Sequence, residues 1–139
     1  MKIIVCGDRH WTDQDYIYDV LNADLQTYKT FTIIEGGATG ADEIAKEFGK
    51  QHGLPVLSIK PNWNKYGLRA GPIRNQKMLN LKPDFVYAFH NNIQSSRGTR
   101  NMINIAKGLV PVTLYYIEDG ERKFKTYHTS VLYLPGTKR

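Results

Sequence analysis

Cysteine is nearly absent from this sequence: Cys6 alone occurs in 139 residues, so the chain has no pair with which to form an internal disulfide. Long hydrophobic runs are missing too, and none approaches membrane-spanning length. The first residues lack the basic-then-apolar layout of a secretory signal, which makes the cytoplasm the expected location. Histidine is scarce and scattered at His10, His52, His90 and His128, without metal-ligand spacing, so no metal or cofactor is expected. Repeats, low-complexity segments and linkers are lacking as well. Basic residues outnumber acidic ones, 19 against 13, for a net charge of +6. That balance suits an anionic partner, but no dense basic run occurs, which argues against nucleic acid.

What is present is ordinary for a globular protein: 41% hydrophobic and 23% charged residues, in a length suited to one domain. The most informative stretch runs from Phe31 to Asp42. A β-branched run, Phe31-Thr32-Ile33-Ile34, enters the glycine cluster Gly36-Gly37-Ala38-Thr39-Gly40, and Ile44, Ala45 and Phe48 follow at helical spacing. Strand, glycine turn and helix in that order let a backbone approach a ligand, with helix N–H groups aimed at an anion. A strand-to-helix turn with no ligand is the simpler alternative. The turn is not a P-loop, because Ala41-Asp42 rather than Lys-Ser or Lys-Thr follows Gly40. It also lacks the three-glycine spacing of the dinucleotide fingerprint.

The rest of the chain repeats the alternation. Lys2 to Cys6 reads as a buried strand ending at Gly7, with Arg9 as an anion contact or a surface ion-pair partner in the loop beyond. Thr12 or Asp13 caps a helix carrying Ile17, Val20, Leu21 and Leu25. A third strand is expected from Pro55 to Ile59, followed by a loop in which Trp63 and Tyr66 either stack on a base or roof the core. Pro72 suits the first turn of the next helix, with Arg74, Asn75 and Gln76 beside it. Arg74 there fits bidentate phosphate pairing, and Asn75 and Gln76 fit ribose or base edges, unless the three simply form a solvated face. A fourth strand, Asp84 to Phe89, leads to a second glycine-bearing turn at Gly98-Thr99, and a fifth covers Pro111 to Ile117. Asp119-Gly120 is a hairpin signal, with short strands expected at Lys123 to Tyr127 and Thr129 to Leu134. The expected fold is therefore α/β and Rossmann-like: a mostly parallel five-stranded sheet flanked by helices, with a short C-terminal β-hairpin extension. Residues 1–117 would form the core of this single domain and 118–139 the extension.

These segments together resemble the SLOG superfamily, in particular its YspA/YpsA-related branch. The segments that carry the likeness are Gly7 to Asp13, Gly36 to Asp42, Trp63 to Gly67, Gly71-Pro72-Ile73-Arg74-Asn75-Gln76-Lys77-Met78-Leu79 and Gly98 to Met102. The resemblance implies a Rossmann-like fold with a pocket for a nucleotide-derived ligand such as ADP-ribose, in signalling or in conflict between bacteria and phage. Four positions depart from relatives: Met102 replaces the acidic residue of the LOG hydrolase motif, Ser95-Ser96 replaces its glycine pair, and Asp8 stands where a smaller residue is common. Methionine transfers no proton, so binding without catalysis is expected, and Asp42 or Glu43 would serve if the chain is an enzyme.

On this basis Gly36, Gly37, Gly40, Gly98 and Thr99 are expected to hold phosphate, and Arg9 and Arg74 to neutralise it. Asn75, Gln76, Trp63 and Tyr66 would hold the rest of the ligand, with Gly7, Ala38, Asp42 and Gly71 in the same pocket. Arg74 should face the turn at Gly36-Gly37 as an unpaired cation, so that its removal leaves folding stability unchanged or raised. A small nucleotide-derived ligand is the expected partner, with homo-oligomerisation open. An N-glycosidase acting on nucleoside monophosphates or NAD-like compounds is the alternative, and a DNA-binding module ranks below it.

Overall fold

The computed structural model describes residues 1–127. Six strands, β1 (Lys2–Gly7), β2 (Thr32–Glu35), β3 (Val56–Ser58), β4 (Phe85–Phe89), β5 (Val112–Glu118) and β6 (Glu121–Tyr127), form one sheet in the order β3-β2-β1-β4-β5-β6. All neighbours are parallel except β5 and β6. Between strands lie α1 (Gln14–Tyr28), α2 (Ala41–Gln51), α3 (Trp63–Tyr66), α4 (Ala70–Asn80) and α5 (Arg97–Ala106).

The central strands are apolar on both faces, so each side of the sheet must be covered. Alternation along β1 sends Ile3 and Val5 to one face, where they pack with Ile17 and Leu21 of α1 and Ala45 and Phe48 of α2. Ile4 and Cys6 face the other side, against Met78 and Leu79 of α4 and Met102, Ile103 and Ala106 of α5. The strand order reverses between β1 and β4, and this is the place in an open α/β sheet where a crevice forms beyond the carboxyl ends.

Local chemistry sets the element ends. Asp13 caps α1, its carboxylate accepting from Tyr16 N at 3.1 Å. The hairpin expected at Asp119-Gly120 forms with positive φ at both residues, 53° and 76°, matching the right-handed twist of the flanking strands. Its second strand differs from a separate extension, because β6 pairs with β5 over its whole length and becomes the sixth strand of the main sheet. Tyr16 Oη fastens it to α1 by donating to Lys123 O at 2.7 Å. The strand expected at Thr129 to Leu134 lies outside the described residues.

Two further segments depart from expectation. Trp63 to Tyr66 is a short helix rather than a loop, capped by Asn62, which accepts from Lys65 N at 3.1 Å. Helix α4 starts at Ala70 on top of a 3₁₀ turn, Gly67–Arg69, and Pro72 lies in its first turn as expected, at the third helical position. A missing N–H is still harmless there, because the first-turn donors have no intrahelical acceptor. β3 is also shorter than expected, with Leu57 and Ser58 exposed at the sheet edge.

Gly7 ends β1 opposite Phe89, where a Cβ would lie 2.2 Å from Phe89 O and 2.9 Å from Phe89 N. Both are backbone atoms of a paired strand and cannot turn aside. Gly7→Ala is expected to destabilise the fold by roughly 2–4 kcal/mol, seen as a lower urea midpoint with unchanged slope. A midpoint equal to that of the natural sequence would mean that β1 and β4 separate more easily than their register implies.

Candidate functional site

The loops that follow β1, β2, β3 and β4 enclose a cleft of about 990 Å³ at the carboxyl edge of the sheet. That volume suits a small-molecule ligand. Cys6 lies on its floor, 8% exposed, and burial, reinforced by the charge of Asp42, pushes its thiol pKa up. A thiol held neutral in this way is a poor nucleophile.

The glycine turn after β2 is closed from within. Gly36 N and Ala38 N donate to Asp42 Oδ2 at 3.1 and 3.2 Å, and Gly37 N donates to Glu35 Oε1 at 2.6 Å. Ser58 Oγ donates to the other Glu35 oxygen, and Glu35 is only 1% exposed. The N–H groups of Gly36 and Gly37, expected to hold phosphate, and that of Ala38 are thus bonded to the chain's own carboxylates in this structure. Gly40, unlike those three, does not border the cleft. Its φ of 69° and the 2.3 Å that would separate a Cβ from Asp8 O fit it to a tight join between two loops. Ala41 N completes the join by donating to Asp8 O at 3.1 Å.

Burial raises the Asp42 pKa to about 6; the bond from Ala38 N opposes this, the charge of Glu35 adds to it, and Arg74 and the bond from Gly36 N oppose it. Asp42 is therefore a buried acid that titrates near neutrality.

Arg74 faces this turn from α4. Its Nη1 donates to Gly36 O at 2.6 Å and its Nε to Asn75 Oδ1 at 2.9 Å. Asn75, 3% exposed, donates through Nδ2 to Gly98 O at 3.1 Å and Asn101 Oδ1 at 3.0 Å. Arg74 is therefore hydrogen-bonded within the protein rather than an unpaired cation.

The second glycine-bearing turn has a different character. Ser96 caps α5 by accepting from Thr99 N at 3.1 Å, while Arg97 and Gly98, in the first turn beside the cleft, keep N–H groups without intrahelical acceptors. His90, 8% exposed, borders the same end. Its Nδ1 accepts from Asn92 N at 2.9 Å, so the neutral ring carries its proton on Nε2. Burial lowers the His90 pKa, with Asp8 partly opposing, which favours that neutral form. Arg9, Lys60, Arg74 and Arg97 bring positive charge to the cleft, and Asp8 and Asp42 bring negative charge.

Of the residues expected at the site, Gly7, Arg9, Gly36, Gly37, Ala38, Asp42, Trp63, Arg74, Asn75, Gly98 and Thr99 border the cleft. Trp63 stands at its mouth, 57% exposed. Gln76 instead points away along α4, exposed and bonded to Asn80 at 2.9 Å. Tyr66 lies outside the lining with Lys65 over its ring, Gly71 packs beneath Trp63, and Glu43 is an exposed residue on the outside of α2. Glu35, Ser58, Lys60, His90 and Asn101 were not anticipated. An acidic residue directly before Gly36-Gly37 at a strand end was the one available pointer to Glu35. Met102 is fully buried among Ile4, Cys6 and Met78, facing the core rather than the cleft. Among the described residues no grouping of three or more His, Cys, Asp or Glu could hold a metal ion, and no helix is long and apolar enough to cross a membrane.

A doubly wound α/β sheet with a polar cleft at its switch point defines a Rossmann-like fold class. The model of the YspA, cpYpsA-related SLOG family matches residues 1–66. The Gene 61 protein of Mycobacterium phage D29 is 30% identical over 118 residues, a stretch covering 80% of this chain and 93% of that protein. The chain belongs to the YspA, cpYpsA-related SLOG family. No solved structure matches it.

Two substitutions test this geometry. Because folding lifts the Asp42 pKa from 3.8 to about 6, the folded state holds the proton more tightly than the unfolded state. The stability tied to this group is greatest below pH 4 and declines as pH rises toward 6, by roughly 3 kcal/mol at 1.36 kcal/mol per unit. Asp42→Asn should lack that decline, so the stability difference between the two proteins in urea should change by that amount between pH 4 and 6, and parallel profiles would contradict the buried placement. Met102→Glu, which restores the acid of the hydrolase motif, should instead bury an unpaired carboxyl and destabilise the fold by roughly 3 kcal/mol or more.

Proposed function

We propose that the chain binds a small nucleotide-derived, phosphate-bearing ligand in this cleft and does not turn it over. The observation that carries the proposal is the pairing of first-turn N–H groups at α5 that have no partner among the described residues with the cations Arg9, Lys60, Arg74 and Arg97 around one cleft. Helix N-termini and guanidinium groups together favour phosphate. Phosphate would lie at the Gly98-Thr99 end, because Asp42 and Glu35 already close the other turn. The carboxylates of Asp8 and Asp42 would accept from ribose hydroxyls, and Trp63 at the mouth would stack on a base. Family membership supports a nucleotide-related role. ADP-ribose and cyclic ADP-ribose isomers are the ligands proposed, as cytoplasmic signals sensed or sequestered, and the phage relative fits a part in conflict between phage and host.

Asp42 also favours a second reading. A carboxyl titrating near 6 at a nucleotide cleft has the properties of a general acid or base for cleaving an N-glycosidic bond. Free base released from AMP or NAD, and lost in Asp42→Asn with binding intact, would establish it.

Calorimetric titration with ADP-ribose, its cyclic isomers, NAD, AMP and nucleotide sugars tests the first reading. At least one should bind more tightly than about 1 mM, which corresponds to about 4 kcal/mol. Arg74→Ala should weaken that binding by roughly 1.5–3 kcal/mol and lower folding stability by about 1 kcal/mol, through loss of its bond to Gly36 O. Failure of every compound to bind would remove the proposal.

A further inference from the structure

Asn75 was expected to read a ribose or base edge, yet every polar atom of its side chain is engaged inside the protein. Chemistry fixes its orientation. Arg74 Nε is only a donor, so the Asn75 atom facing it is the oxygen; Gly98 O is only an acceptor, so the atom facing that is the nitrogen. The amide therefore hands a donor from α4 to the first turn of α5 while taking one from Arg74. Arg74 passes the same connection on to Gly36 O, and Asp42 holds the Gly36 N–H. One chain of hydrogen bonds thus runs from the turn after β2 to the turn after β4, across the floor of the cleft.

We infer that Asn75 is a positioning residue: it aims the Arg74 guanidinium and seats the first turn of α5, and so makes one anion site out of groups on three separate elements. It acts on the ligand through Arg74 and the Gly98 carbonyl rather than by touching it. Buried at 3% exposure and bonded in three directions, it holds a single arrangement, since any rotation of the amide leaves buried donors or acceptors unmatched. Asn101, one turn into α5, supplies the third bond and shares the task. The consequence for binding rests on the ligand reading above; the positioning itself does not.

Nuclear magnetic resonance of the full chain tests the positioning without a ligand. The Arg74 Nε–H resonance, assigned by its loss in Arg74→Lys, should be protected from exchange in the natural sequence. In Asn75→Leu, which keeps the branched shape but no polar atom, that protection should be lost. Asn75→Asp retains an acceptor for Arg74 but sets an oxygen against Gly98 O and Asn101 Oδ1. It should therefore keep the Arg74 resonance protected while shifting the amide signals of Gly98 to Asn101. A change confined to the α5 side in one variant and reaching Arg74 in the other is not what general destabilisation produces. Should Asn75→Leu fail to fold, Asn75→Asp alone decides the matter through that split. Calorimetry with ADP-ribose adds the binding arm: Asn75→Leu should weaken affinity about tenfold, yet add less than about twofold to the loss in an Arg74→Ala background. An Arg74 resonance unmoved by Asn75→Leu, Gly98 to Asn101 amides unmoved by Asn75→Asp, or fully additive losses would each overturn the inference. If ADP-ribose and the other compounds above bind nowhere, the ligand reading fails while the resonance data still decide the role of Asn75.

Discussion

The peptide of Gly36 is gripped from both sides, and the geometry of the cleft depends on it. Its N–H is bonded to Asp42 at the start of α2, and its carbonyl to Arg74 on α4. Those two helices cover opposite faces of the sheet, so the grip ties both layers together at the carboxyl edge. Glycine is needed there for space: a Cβ on Gly36 would fall 2.4 Å from Arg74 Nη1 and 3.0 Å from Asp42 Oδ2. A side chain at this point would push apart the two charged groups that define the site. Its partners are buried or half-buried, where polar groups cost free energy if left unmatched, so the whole arrangement forms together or not at all.

Much of the fold was legible because the physical rules involved act over short distances. Buried strands such as Ile3 to Cys6 show as apolar runs, helices such as α1 as apolar residues at 3.6-residue spacing, and the hairpin as an Asp-Gly pair. Strand alternation with helices then implies parallel pairing and right-handed crossovers. What was not legible depends on partners far away in sequence. The full pairing of β6 is anchored by Tyr16, 107 positions upstream of Lys123. It leaves no mark within a window of ten residues.

The site divides in the same way. Arg74 was placed against Gly36 by its neighbours in sequence: a proline start, a polar first turn and the need for a cation near glycine turns. Gln76, only two residues away, points about 200° further around the helix and faces solvent. The segment looked uniformly polar, but a helix presents only one stripe of it to the cleft. Met102 is a further example of position overriding chemistry. It occupies the core-facing stripe of α5 with Ile103 and Ala106, so the residue that separates this chain from the hydrolase motif also completes its apolar layer.

Two glycine-bearing turns that look alike in the sequence end in opposite chemical states. The turn after β2 has an acid immediately before it and another at the second helical position, and both fold back to accept its N–H groups. The turn after β4 has no acid in α5, and its cap is the neutral Ser96. A carboxylate within reach of backbone donors competes with any incoming phosphate and wins by effective concentration, since it is already tethered there. A neutral hydroxyl that takes one donor leaves the others, and the helix dipole, to an external anion. The spacing of glycines therefore gives the shape of such a turn, whereas the acids on either side of it decide whether the turn is open to a ligand. In this chain that distinction makes the cleft asymmetric: the backbone donors after β2 are taken by Asp42 and Glu35, whereas the start of α5 has only the neutral cap of Ser96.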